Sequence, residues 1–118
     1  MAYDELTTER FRDALHGHIG GEGCVEEKRM MGGICFMLNG HMVGGADMEK
    51  GTGLRRFMFR MGKDNHAAGL ALPGAQPMEM GGRKMRGFFF VPEDDCDEEA
   101  LKAWITTTVN FVRTLPPK

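Results

Sequence analysis

The stretch 33–46, "GICFMLNGHMVGGA", constrains the fold of this chain most. Its first run alternates: Ile34, Phe36 and Leu38 fall on one side of an extended backbone, Cys35 and Met37 on the other. Asn39-Gly40 follows at once, and a second extended run begins at His41. Asn-Gly between two such runs predicts a hairpin with a type I′ turn, because that turn needs positive φ at both central residues.

Other segments repeat the two-residue period. "CVEEKRM" (24–30) reads as a strand leading into the hairpin. "LRRFMFRM" (54–61) sets Phe57, Phe59 and Met61 against Arg56, Met58 and Arg60, the pattern of an antiparallel strand with one solvated, partly basic face. "MEMGGRKMRGFFFV" (78–91) reads as a hairpin or bulged strand pair around Gly81-Gly82. Residues 4–18 instead read as a helix, with Phe11, Ala14, Leu15 and His18 on one face and Leu6 a turn earlier; Gly17, Gly20 and Gly21 stop it. A short helix is expected within 63–72, capped by Asp64 and closed by Pro73. A last helix runs from about Asp97, its N-cap, to Leu115, with Leu101, Trp104, Ile105, Val109 and Val112 as its apolar stripe and Phe111 beside it. The order predicts an α+β fold: an antiparallel sheet of about five to six strands, flanked by N- and C-terminal helices, in one domain over 1–118.

The charge of −2 is unevenly placed. Residues 1–27 carry −5, residues 28–91 carry +6 and residues 92–118 carry −3, a basic centre between acidic ends. No apolar run approaches the ~20 residues of a membrane span, so no membrane partner is expected. The N-terminus lacks a basic start with an apolar h-region, so the chain reads as cytoplasmic. Three scattered cysteines, Cys24, Cys35 and Cys96, read as reduced thiols rather than a disulfide framework.

Several segments look like chemical motifs but read as turns or packing. "GADMEKGTG" places Lys50 before its glycine, unlike a P-loop, and neither "GEGCVE" nor "GTGLRR" completes a dinucleotide loop. His16 and His18, two apart on a helix, point to different sides and cannot both face one ion. Eleven methionines suit copper(I), but they equally fill irregular cores. Cys35 reads as packing within a strand, Cys96 sits among acids that disfavour a thiolate, and Cys24 is the least constrained. No acid–base pair is convincing, so no enzyme, no catalytic residue, no metal site and no cofactor is expected.

The basic centre offers a contact surface. Lys28, Arg29, Arg55, Arg56, Arg60, Lys84 and Arg86, with Arg83, lie in or beside strand patterns. Gathered on an open sheet face they would meet an acidic protein surface or nucleic acid. The plainer reading is a solvated face whose cations pair with the chain's own acids. No RNA-binding aromatic motif and no helix-turn-helix signature is present.

Lys28, Met30, Met31, Gly32 and Gly33, followed by "ICFML", Asn39-Gly40 and "HMVGG", resemble the N-terminal domain of the TfoX/Sxy family, named for bacterial regulators of natural competence. "PGAQPMEMGGRKMRGFFFV" is similar to a second block of that family, and "LKAWITTTVNFVRTLPPK" to the closing helix of short members. The resemblance covers nearly the whole chain. It implies an antiparallel sheet flanked by helices, like that of type III secretion chaperones, and no catalytic residues. It also implies a stand-alone member without the second, helical domain of the full-length regulators. The expected function is a non-enzymatic interaction module, linked to transcription or competence-type gene expression. Its partner is expected to be a protein, with DNA the other candidate and a homodimer compatible. The alternative is a small-ligand or metal-binding domain using the Met/Cys/His-rich hairpin.

Overall fold

The computed structural model describes residues 5–20, 25–30, 33–49, 51–72, 74–80 and 82–116. Asn39 and Gly40 have φ of 54° and 85°, and close the turn that the sequence predicts. They join β2 (Gly33–Leu38) to β3 (His41–Met48). β1 (Val25–Met30) pairs with β2, and β4 (Arg55–Arg60) with β3. β5 (Gln76–Met80) and β6 (Arg83–Pro92) form a second hairpin. The six strands make one antiparallel sheet in the order β1-β2-β3-β4-β6-β5.

Two long helices, α1 (Glu5–Ile19) and α3 (Glu98–Val112), pack on each other and on β3 and β4. Between them and the sheet lie Phe11, Phe36, Phe57, Phe59, Phe89 and Trp104, all fully buried. Phe11 stacks on Phe36 at 4.8 Å and on Phe59 at 5.7 Å, and Phe59 stacks on Trp104 at 4.9 Å. A short α2 (His66–Leu70) lies on the same side, with His66 stacked 5.1 Å from Phe89. The α+β architecture is as the sequence predicts, with six strands.

The ends of α3 follow their local chemistry. The Asp97 carboxylate accepts a hydrogen bond from the Ala100 amide at 2.8 Å, the N-cap interaction predicted for it. The predicted stripe of α3 is buried, joined by Thr108, whose hydroxyl contacts the Met61 sulfur at 3.4 Å.

Two local expectations are corrected. The buried side of α1 is Thr7, Thr8, Phe11, Leu15 and Ile19, whereas Leu6 is 66% exposed and His18 half-buried. Buried threonines displace the stripe from where hydrophobicity alone puts it; Thr7 satisfies its hydroxyl by donating to Glu93 Oε2 at 2.9 Å. Asp64 is not a helix cap. It lies inside a 3₁₀ turn, Lys63–Asn65, that leads into α2, and neither element has a side-chain N-cap. Expectations that rest on Gly21, Cys24, Pro73 or Gly81 fall outside the described residues.

Candidate functional site

Helices cover one face of the sheet, and alternation sends every second strand residue to the other. Register fixes the rows on that open face. One row crosses all six strands: Lys28, Cys35, Gly45, Met58, Phe90, Gln76. Cys35, Met58 and Met78 are buried there as a second, smaller cluster, with Met42, Met85, Phe88 and Phe90 packed around it. A sheet face solvated in the ordinary way would be polar; this one shields sulfur and aromatic carbon.

A groove of about 310 Å³ opens on this face. Cys35, Met58, Met78 and Phe90 give it its sulfur and aromatic lining. Gly45, between Cys35 and Met58 in the row, leaves the gap. Glycine is required there, because a Cβ would run into the Ile34 carbonyl oxygen. Its neighbour Gly44 serves the covered face. A Cβ there would run into the Met58 carbonyl oxygen and come within 3.2 Å of the Phe11 ring.

The groove's polar rim is self-contained. Arg56 donates Nε and Nη2 to the Asp47 carboxylate at 2.8 and 3.2 Å, and Nη1 to Glu49 Oε2 at 3.0 Å. Its guanidinium lies 3.7 Å above the Phe90 ring centroid. Arg56 commits three of its N–H donors to two carboxylates and sets its cation over an aromatic ring. The rim is thus a neutralised cation with one acid in excess, and Glu79 adds a further carboxylate to the lining.

The basic residues singled out in the sequence do not share one face. Lys28 and Arg29 are exposed on β1, at one edge, facing opposite sides. Lys84 and Arg86 line a second cavity, of about 630 Å³, with His66 and Leu70 near the other edge, roughly 20 Å away across four strand spacings. Arg56 is committed to its rim, Arg60 reaches the Phe111 ring of α3 at 5.4 Å, and Arg55 is exposed at the start of β4. The acidic ends find cations of their own. Arg10 bonds Glu98 at 2.8 Å and lies 3.6 Å from Glu93, and Arg12 holds Glu27.

A family model for the TfoX N-terminal domain matches residues 18–112 of the 118-residue chain. The chain belongs to this family. No curated protein and no solved structure shows a significant match to it. In this TfoX N-terminal domain the matched segment begins near the end of α1 and ends with α3, so it contains all six strands and the groove.

The two cysteines among the described residues sit on opposite faces. Cys35 lies on the open face, where burial, with Asp47 assisting, pushes its pKa up. Cys96 is buried on the covered side, where desolvation raises its pKa to about 11 despite the opposing Arg10. Both are held as neutral thiols near pH 7. No group of three or more His, Cys, Asp or Glu able to hold a metal occurs among the described residues. No helix among them is long and apolar enough to cross a membrane. The groove residues Gly45, Met58, Met78 and Phe90 were not singled out from the sequence. The available signal was the apolar character of both alternating sets in "GICFML" and "RFMF", which marks strands shielded on both faces.

Proposed function

We propose that this TfoX N-terminal domain is a non-enzymatic, cytoplasmic interaction module, linked to transcriptional or competence-type regulation, that docks a protein partner on the open face of its sheet. One observation carries the reading: a face left uncovered by the helices holds buried Met and Cys with Phe around a groove, and its charges are gathered at the groove's rim. Unbranched thioethers adapt to differently shaped partner side chains, which suits a docking surface. The Arg56–Asp47–Glu49 rim would set orientation while contributing little net charge. The split placement of the basic residues favours a protein partner over DNA, whose phosphates call for a continuous positive surface.

Complementation with transcript profiling tests this. Deleting the gene should change the expression of a defined set of transcripts, and the wild-type chain should restore them. A folded Phe90→Ala, Met78→Asp double variant should fail to restore them. An unchanged transcript profile on deletion defeats the regulatory reading. Full restoration by the double variant defeats the open face as its site. A gel-shift with the purified domain separates the DNA route: binding that survives the double variant and collapses with Lys84→Glu, Arg86→Glu would replace the protein contact.

A further inference from the structure

The two edges of the sheet are finished differently. β5 is five residues long, carries an exposed Pro77, and its pairing with β6 breaks register between Pro77 and Met78. A proline and a bulge are devices that keep an edge from recruiting another strand. β1 has neither. Its six residues pair in unbroken register with β2, from Val25 opposite Leu38 to Met30 opposite Gly33. Its other side has no strand partner among the described residues. What it carries is a run of four charges, Glu26, Glu27, Lys28 and Arg29, two negative and then two positive.

Scattered charge alone would merely discourage strand addition. A run that changes sign midway does more, because an antiparallel second copy presents it in reverse. We propose that β1 pairs antiparallel with β1 of a second copy, fusing two sheets into one across a two-fold axis.

Symmetry restricts the register. In a continuous sheet, paired residues point to the same face. A two-fold axis normal to the sheet leaves the helices of both copies on one side. Residues can then pair only with residues of the same parity. Glu26 and Lys28 belong to the open face, and Glu27 and Arg29 to the helical face. Two registers bring opposite charges together twice. Centred on Glu27, Glu26 faces Lys28 of the second copy, and Lys28 faces its Glu26. Centred on Lys28, Glu27 faces Arg29 twice, and the two Lys28 meet at the axis.

The first register wins. Its like charges at the axis are the two Glu27 carboxylates, and each is already neutralised. Arg12 donates Nε and Nη2 to Glu27, both at 2.7 Å. In the second register two ammonium groups meet beside the apolar Cys35 row, and Arg29 must compete with Arg12 for Glu27. The selected dimer places Arg12, Glu27, Glu27 and Arg12 in line on the helical side, with two Glu–Lys pairs on the open side. A single short strand pair is small beside permanent interfaces, so the dimer is weak, reversible and salt-sensitive.

Sedimentation velocity from micromolar to millimolar protein, at low and high salt, tests this. The wild type should shift from monomer to dimer with concentration, less so at high salt. Lys28→Glu places four carboxylates on the open side and should weaken dimerisation about tenfold or more. The double reversal Glu26→Lys, Lys28→Glu restores both pairs with signs exchanged and should return the constant to near wild type. A wild type that stays monomeric, a dimer indifferent to Lys28→Glu, or a double reversal that fails to rescue overturns the proposal. Should a variant not fold, amide exchange of the wild type decides. Protection of residues 25–29 should rise with concentration, and protection that does not overturns the β1 contact.

Discussion

The covered and open faces of this sheet are built from alternate residues of the same strands, yet they are packed with different materials. β4 shows it within three residues: Phe57 and Phe59 are fully buried against the helices, and Met58 between them is 6% exposed on the other side. The covered face stacks rigid rings, with Phe59 between Phe11 and Trp104. The open face uses sulfur and an arginine cation set over the Phe90 ring. Rings in fixed stacks specify one helix placement, whereas thioethers tolerate several neighbours. One face stores stability and the other keeps adaptability.

Truncation should expose that difference most clearly. Phe59→Ala or Trp104→Ala should cost about 3–5 kcal/mol by urea unfolding. Met58→Ala empties a smaller cluster that no helix covers and should cost about 2 kcal/mol. Equal losses at Phe59 and Met58 would erase the distinction. Gly44→Ala forces a methyl against the Met58 carbonyl and the Phe11 ring, and should cost about 2 kcal/mol, read as a fall in melting temperature. A variant as stable as wild type would mean that α1 does not seat there.

The thiols sharpen the comparison without breaking the fold. Cys35 and Cys96 lie on different faces, and burial raises both pKa values. Alkylation of the folded protein near pH 7.5 should be slow at both and become fast on unfolding. Rapid labelling of Cys35 alone would show that the open face breathes while the covered one does not. The smallest effect concerns the Arg12–Glu27 pair. Hydrogen bonding to Arg12 lowers the Glu27 pKa, so its stabilisation is present above the ordinary glutamate range and is lost as pH falls through the lowered value. The pair is partly exposed, so its worth is under about 1 kcal/mol. The melting difference between wild type and Glu27→Gln in dilute solution should be small at neutral pH and vanish on acidification; a difference that grows would reverse the sign.

What the sequence made legible is what short-range chemistry decides. Asn39-Gly40 sets its hairpin through backbone φ, and Asp97 caps α3 through an amide three residues on. The α3 stripe is readable because its apolar residues recur at helical spacing. In α1 the burial of Phe11 and Leu15 is legible, but Thr7 and Thr8 are buried polar residues that hydrophobicity does not count, and Leu6 is exposed. The destinations of the cations were not legible. Arg56 looks like its neighbours Arg55 and Arg60 in the sequence, and only the β3–β4 register places Asp47 opposite it. Nor could the groove be read, because its floor is defined by a side chain that Gly45 does not have.

Gly44 and Gly45 have a consequence beyond turn geometry and packing. They are consecutive residues that address opposite faces, and neither has a side chain. At that dipeptide the wall between α1 and the groove is bare peptide, without padding on either side. Whatever presses into the groove there leans on the same backbone that Phe11 leans on from behind.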